Sequence, residues 1–199
     1  MRPLVLTAAF VSGFVIMCIE MLGGRLIAPW FGGDIYVWGS IIAVFMLSLS
    51  LGYLWGGRIS LRADAGLRTY GLIFFCASVL ILPIMFAANS IMAFIFEHIT
   101  DPRYGSLVAS MMLFFLPCTV MGMVSPYSVR LLTQSKESSG ASAGFLYFVS
   151  TLGSAIGTIA TSFYLVAYFE LNSILWGAAF SMALLAGILL QASKRWSLK

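Results

Sequence analysis

Long apolar runs alternate with short polar punctuation along the whole chain. The runs cover residues 4–22, 36–56, 70–95, 105–126, 144–168 and 173–192, and Glu20 is the only charged residue inside any of them. A helix rises about 1.5 Å per residue, so about 20 residues cross a hydrocarbon core about 30 Å thick. Each run is long enough. An outer-membrane barrel would show alternating segments of about ten residues, whereas these runs are continuous. The pattern predicts an all-α integral membrane protein: a six-helix bundle forming one transmembrane domain over residues 1–199.

The polar punctuation orients the bundle. Arg2, Arg58, Arg62, Arg68, Arg130, Lys136, Lys194, Arg195 and Lys199 fall at alternate span ends, and only Arg25 and Arg103 fall at the others. The positive-inside rule then places both termini in the cytoplasm. The first run, with Arg2 before it, superficially resembles a signal peptide. No A-x-A site follows, and Glu20 stands where cleavage would fall, so the run is read as a retained span.

Composition agrees. The chain is 61% hydrophobic and 9% charged, with a mean hydropathy of +1.00; soluble domains carry about 25% charged residues. The net charge of +4 is accounted for by topology, so no nucleic-acid partner is indicated, and the lipid bilayer is the expected surrounding. Cys18, Cys76 and Cys118 all lie within apolar runs without a CxxC pair, which suits small packing residues rather than a disulfide framework or a zinc site.

Two seams of small residues stand out. The second span carries Ser48, Gly52 and Gly56 at intervals of four. The fifth carries Gly153, Gly157 and Thr161, with Ser150, Ser154, Thr158 and Ser162 one row along. Such spacing lines one helix face and lets backbones approach closely. The seams serve either packing within one subunit or an interface that slides or dimerises. Spans two and five are the middle helices of successive triplets, and the second triplet runs opposite to the first, as in an inverted 3+3 repeat. Pro83 and Pro117 lie inside spans three and four as architectural bends or gating hinges.

Candidate chemistry is sparse. Gly153 and Gly157 follow no strand and make no nucleotide loop, and no H-E-x-x-H, Walker A or G-x-S-x-G motif occurs. Glu97, His98 and Asp101 read as a solvated loop, so neither a metal nor a cofactor is predicted. Glu20 and Arg25 are the exception. They lie five apart, about 140° around an ideal helix, and a direct pair needs Gly23-Gly24 to turn the chain back. Pro29 and Trp30 would fix that turn at the interface, where Trp is favoured. Either the two charges cap and anchor the helix end, or Glu20 faces a polar pocket with Arg25 as its partner. Candidate residues of that pocket are Glu20, Arg25, Trp30, Tyr36 and Trp38.

Four stretches carry a resemblance: "EMLGGRLIAPWFGG" (20–33), "VWGSIIAVFMLSLSLGYLWGGR" (37–58), "MGMVSPYSVRL" (121–131) and "GASAGFLYFVSTLGSAIGT" (140–158). Together they resemble the membrane domain of bacterial fused major facilitator/spermidine synthase-like proteins, over roughly residues 10–190. The resemblance implies one half of a major facilitator fold in a bacterial inner membrane. It also implies a cytoplasmic loop region including Arg58, Asp64 and Arg130. Facilitator-like proteins often carry an acid four residues after the glycines ending span two; here Leu61 occupies that place, and Gly39 stands where a hydroxyl residue usually follows Trp38. The aminopropyltransferase-like domain that often follows in the family is not in this sequence, so the chain is not expected to be an enzyme by itself.

Two functions follow. One is a transport module handling a cationic small molecule such as a polyamine, which a membrane carboxylate suits. The other is a non-transporting scaffold or anchor subunit for a soluble enzyme or a membrane complex. Partners implied are a second copy in a homodimer, a larger membrane complex, or a separately encoded soluble synthase-like protein.

Overall fold

The computed structural model describes residues 2–62, 66–133 and 139–197, the side chains of 195–197 excepted. Asp64, Lys136 and Lys199 lie outside the described residues. The described residues form helices and short connections: α1 (Arg2–Phe31), α2 (Ile35–Ser60), α3 (Leu67–His98), α4 (Pro102–Gly122), α5 (Val124–Leu132), α6 (Ser139–Ala160), a π-helical turn (Thr161–Leu165), α7 (Val166–Tyr168) and α8 (Leu171–Ser197). Six segments are long and apolar enough to cross a membrane, with α4–α5 forming the fourth and α6–α7 the fifth. The chain is a multi-pass, all-helical membrane protein. Six spans return both chain ends to one side of the bundle, called here the terminal side; the other is the distal side.

The ends of the helices have local causes. Gly32 has φ +87° and its N–H bonds the Ala28 carbonyl at 2.9 Å. This is a left-handed residue closing a helix, where glycine carries no Cβ penalty. Asp101 caps α4, its Oδ1 accepting from the Arg103 N–H at 2.9 Å, and Pro102 follows at the first helical position, where no amide partner is needed. Gly23 and Gly24 do not turn the chain back, because α1 runs unbroken through both to Phe31. They are spacers instead: a Cβ at Gly23 would lie 3.1 Å from the Phe114 ring, and one at Gly24 2.7 Å from Trp38. α3 and α4 likewise continue through Pro83 and Pro117. The fourth span breaks later, at Met123.

Three helix pairs dominate the packing: α1 with α6, α2 with α4, and α3 with α8. Glycines set the first two. A Cβ at Gly153 would overlap the Phe10 carbonyl, and one at Gly157 would meet the Phe14 backbone. A Cβ at Gly52 would overlap the Thr119 carbonyl, and one at Gly56 would meet Met123. In lipid, where burying apolar surface gains little, such backbone contact and dispersion hold helices together. Gly13 and Gly122 complete the crossings from the facing helices, against Ser150 and Leu49. In the third pair, Ser78 donates to the Ala179 carbonyl at 2.9 Å and Gly71 lies against Ala186 and Leu190.

Near the terminal side, Tyr70 and Tyr127 stack at 5.6 Å. The Tyr70 hydroxyl bonds Ser128 Oγ at 2.6 Å, and Tyr127 donates to the Gly66 carbonyl at 3.1 Å. This buried network ties the start of α3 to α5. Each polar atom is satisfied, as buried polar groups require.

Candidate functional site

A crevice lined by hydroxyl-bearing side chains opens in the middle of the bundle. It encloses about 380 Å3 between α1, α2, α5 and α6. α1 contributes Gly13, Ile16 and Met17, and α2 contributes Leu49 and Tyr53. Ser125 and Pro126 come from α5, and Tyr147, Ser150, Thr151 and Ser154 from α6. Glycine packing makes this wall thin and polar: the spacing that brings Gly153 against α1 also places Ser150 and Ser154 beside it. Ser154 Oγ lies 3.3 Å from the Gly13 carbonyl and 3.2 Å from the Ser150 carbonyl. The hydroxyls of Tyr53 and Tyr147 line the opening without a hydrogen-bond partner among the described residues.

Glu20 stands one turn beyond this crevice. It follows Ile16 and Met17 by four and three residues, so it shares their face of α1. It is half-buried and forms no hydrogen bond or ion pair among the described residues. A carboxylate left in this way within a span is costly unless water or a ligand meets it.

The expected partner is elsewhere. Arg25 donates from Nη1 to the Val166 carbonyl at 2.8 Å. The π turn and the three-residue α7 end the fifth span, and Arg25 caps that end from a different helix. Helix ends leave carbonyls unsatisfied, and a guanidinium answers one here. Arg25 thus neither pairs with Glu20 nor bonds its own helix end; its hydrogen bond goes to α7.

The other residues expected around Glu20 are distributed over the distal side. Arg25 and Trp30 line a pocket of about 350 Å3 with Asn89, Glu170 and Asn172. Tyr36 lies in a second, of about 310 Å3, with Asp34 and Asp101; its ring carries the Arg103 guanidinium at 4.7 Å, a cation–π contact. Trp38 covers Gly24. Arg58 and Arg130 are exposed at the ends of α2 and α5. His98 Nδ1 sits 2.8 Å from the Phe94 carbonyl. No group of three metal-ligating side chains occurs among the described residues.

Two features had no sequence signal. The π turn at Thr161–Leu165 interrupts a run that reads as ordinary helix. An apolar cavity of about 450 Å3 lies beside it between α1 and α8, lined by Phe10, Phe14, Cys18 and Ile174 among others. Comparison with family models, curated proteins and solved structures finds no match.

Proposed function

We propose that the chain is an inverted 3+3 repeat, similar to one half of a major facilitator, and that it handles a cationic small molecule of the polyamine class at Glu20 and the adjoining crevice. The repeat reading draws on register. One constant shift carries Phe10, Gly13 and Phe14 onto Thr119, Gly122 and Met123, and another carries Leu49, Gly52 and Gly56 onto Ser150, Gly153 and Gly157. Under these shifts the Gly13–Ser150, Gly153–Phe10 and Gly157–Phe14 contacts of the α1–α6 crossing become the Gly122–Leu49, Gly52–Thr119 and Gly56–Met123 contacts of the α2–α4 crossing. The first shift also carries the buried residues Val5, Ala8, Ala9, Ser12, Val15, Cys18 and Ile19 onto Phe114, Pro117, Cys118, Met121, Val124, Tyr127 and Ser128, all buried. A third shift exchanges the Ser78–Ala179 and Gly71–Ala186 contacts of the α3–α8 pair.

The crevice follows the same exchange. Ile16 pairs with Ser125, Met17 with Pro126, Leu49 with Ser150 and Tyr53 with Ser154, so the opening lies on the axis relating the triplets. In repeat-built transporters the binding site lies near the midplane at the repeat interface. The observation that carries the function is Glu20, an unpartnered carboxylate one turn from that axis. By the positive-inside rule we assign the basic terminal side to the cytoplasm.

The test is uptake. Chain reconstituted in proteoliposomes is expected to take up labelled spermidine saturably under an imposed proton gradient, with Glu20→Gln lowering the rate at least tenfold. Uptake no greater than into empty vesicles, under gradients of either direction, contradicts transport. One observation then favours the scaffold: the fifth span has 17% of its apolar stretch buried, against 39–56% for the other five. That leaves a broad face for a second copy or a membrane partner.

A further inference from the structure

The distal pocket beside Trp30 holds a combination of groups that the crevice does not use. Arg25 reaches it from α1, Asn89 from α3, and Glu170 and Asn172 from the start of α8. Arg25 commits one nitrogen to the Val166 carbonyl, and a guanidinium carries five N–H donors. Arg25 and Glu170 share the pocket without an ion pair between them, and the carboxamides of Asn89 and Asn172 have no partner among the described residues. Glu170 immediately precedes α8, and its carbonyl accepts from the Ile174 N–H at 3.2 Å. The positive end of a 27-residue helix therefore opens beside Leu171 and Asn172 at the pocket wall.

A fixed cation, a helix N-terminus and a separate carboxylate complement a ligand bearing an anionic group and an ammonium group a few bonds apart. Depth narrows the class. Arg25 lies about 35 Å along α1 from Arg2 at 1.5 Å per residue, beyond a core about 30 Å thick. Trp30 suits the headgroup level. We propose that this pocket binds a phosphoethanolamine zwitterion, with phosphate on Arg25 and the N-terminus of α8 and ammonium on Glu170. The same chemistry arrives as the headgroup of phosphatidylethanolamine or as free phosphoethanolamine. The proposal is independent of the crevice and of any transport.

The test uses the full chain in mild detergent. Native mass spectrometry follows lipid retention from an equal mixture of phosphatidylethanolamine, phosphatidylcholine and phosphatidylglycerol with matched acyl chains. A parallel arm reads the thermal shift caused by free phosphoethanolamine. Either about tenfold preferential retention of phosphatidylethanolamine, marking the lipid source, or a saturable shift with free phosphoethanolamine, marking the aqueous source, is expected. Choline lacks N–H donors and glycerol lacks the cation, so neither comparison lipid can give Glu170 a charge-assisted ammonium hydrogen bond. The Glu170 side chain makes no hydrogen bond or ion pair among the described residues, so Glu170→Gln tests the site without unfolding the chain. It should lower the response in that arm at least fivefold. Arg25→Lys should retain more of the response than Arg25→Gln. Equal retention of the three lipids together with no shift overturns the proposal, and so does a Glu170→Gln response equal to wild type.

Discussion

The two glycine crossings at the centre of the bundle are alike in backbone and unlike in surroundings. α1 meets α6, and α2 meets α4, through the same sequence of glycine-to-backbone contacts. Around them the flanks diverge. α4 packs along α3, whereas α1 and α8 leave an apolar cavity of about 450 Å3 between them, next to the π turn. Glu20 lies on the α1 side, and the residue that the proposed repeat sets against it on α5 is Val129. Small residues at intervals of four set how closely the backbones meet. The larger side chains decide whether the surrounding space closes. The open flank, the loosened helix and the unpartnered carboxylate all belong to one of two similarly built crossings, which is where a function separates from a scaffold.

The strongest way to break this comparison is to overfill both crossings. Gly52→Leu and Gly153→Leu each drive a side chain into a facing backbone. Overpacking against atoms that cannot move costs about 3 kcal/mol or more, and the two losses should match within about 1 kcal/mol. Gly187→Leu, with nothing within 4 Å, should stay within about 0.5 kcal/mol of wild type. Reversible unfolding in mixed micelles measures all three. A milder version is Gly13→Ala and Gly122→Ala, which press on Ser150 and Leu49; each should cost about 1–3 kcal/mol.

The flanks should respond oppositely. Gly177 lines the α1–α8 cavity and has open space around its Cβ. Gly177→Leu should therefore stabilise by about 1 kcal/mol, since filling a void restores dispersion contacts. Destabilisation on the same unfolding curve would mean that the cavity is occupied in the membrane. A loss of similar size is expected at the distal cap. Arg25→Gln removes one hydrogen bond to the Val166 carbonyl at an exposed site, a loss of about 1 kcal/mol. Hydrogen exchange should rise first at 166–169 if the cap acts locally.

The six spans were legible because lipid demands long uninterrupted apolar runs, and these dominate the composition. The glycine seams were legible for a related reason: spacing of four marks one helix face whatever that face touches. Which helix each seam meets was not legible, because Gly153 against Phe10 depends on tertiary pairing. Gly23-Gly24 misled, since glycine permits a turn and close approach equally, and only the rings of Phe114 and Trp38 decide between them. The π turn depends on how Thr161–Leu165 packs, which leaves no local pattern. Arg25 was expected either to cap the end of its own helix or to pair with Glu20, whereas it bonds a carbonyl 141 positions away, a partner that only tertiary packing supplies.

The most direct test of the repeat-axis crevice is thiol labelling across it. Tyr53→Cys and Ser154→Cys, on the α2 and α6 walls and paired under the proposed repeat, would be placed in chain with Cys18, Cys76 and Cys118 replaced by Ala. A membrane-impermeant maleimide should then label both, while Phe180→Cys on the outer surface of α8 remains unlabelled. Spermidine should slow labelling at both crevice sites, and Glu20→Gln should abolish that protection. Absence of labelling at both sites, or labelling that spermidine leaves unchanged, would contradict a water-filled, cation-binding crevice on the axis between the triplets.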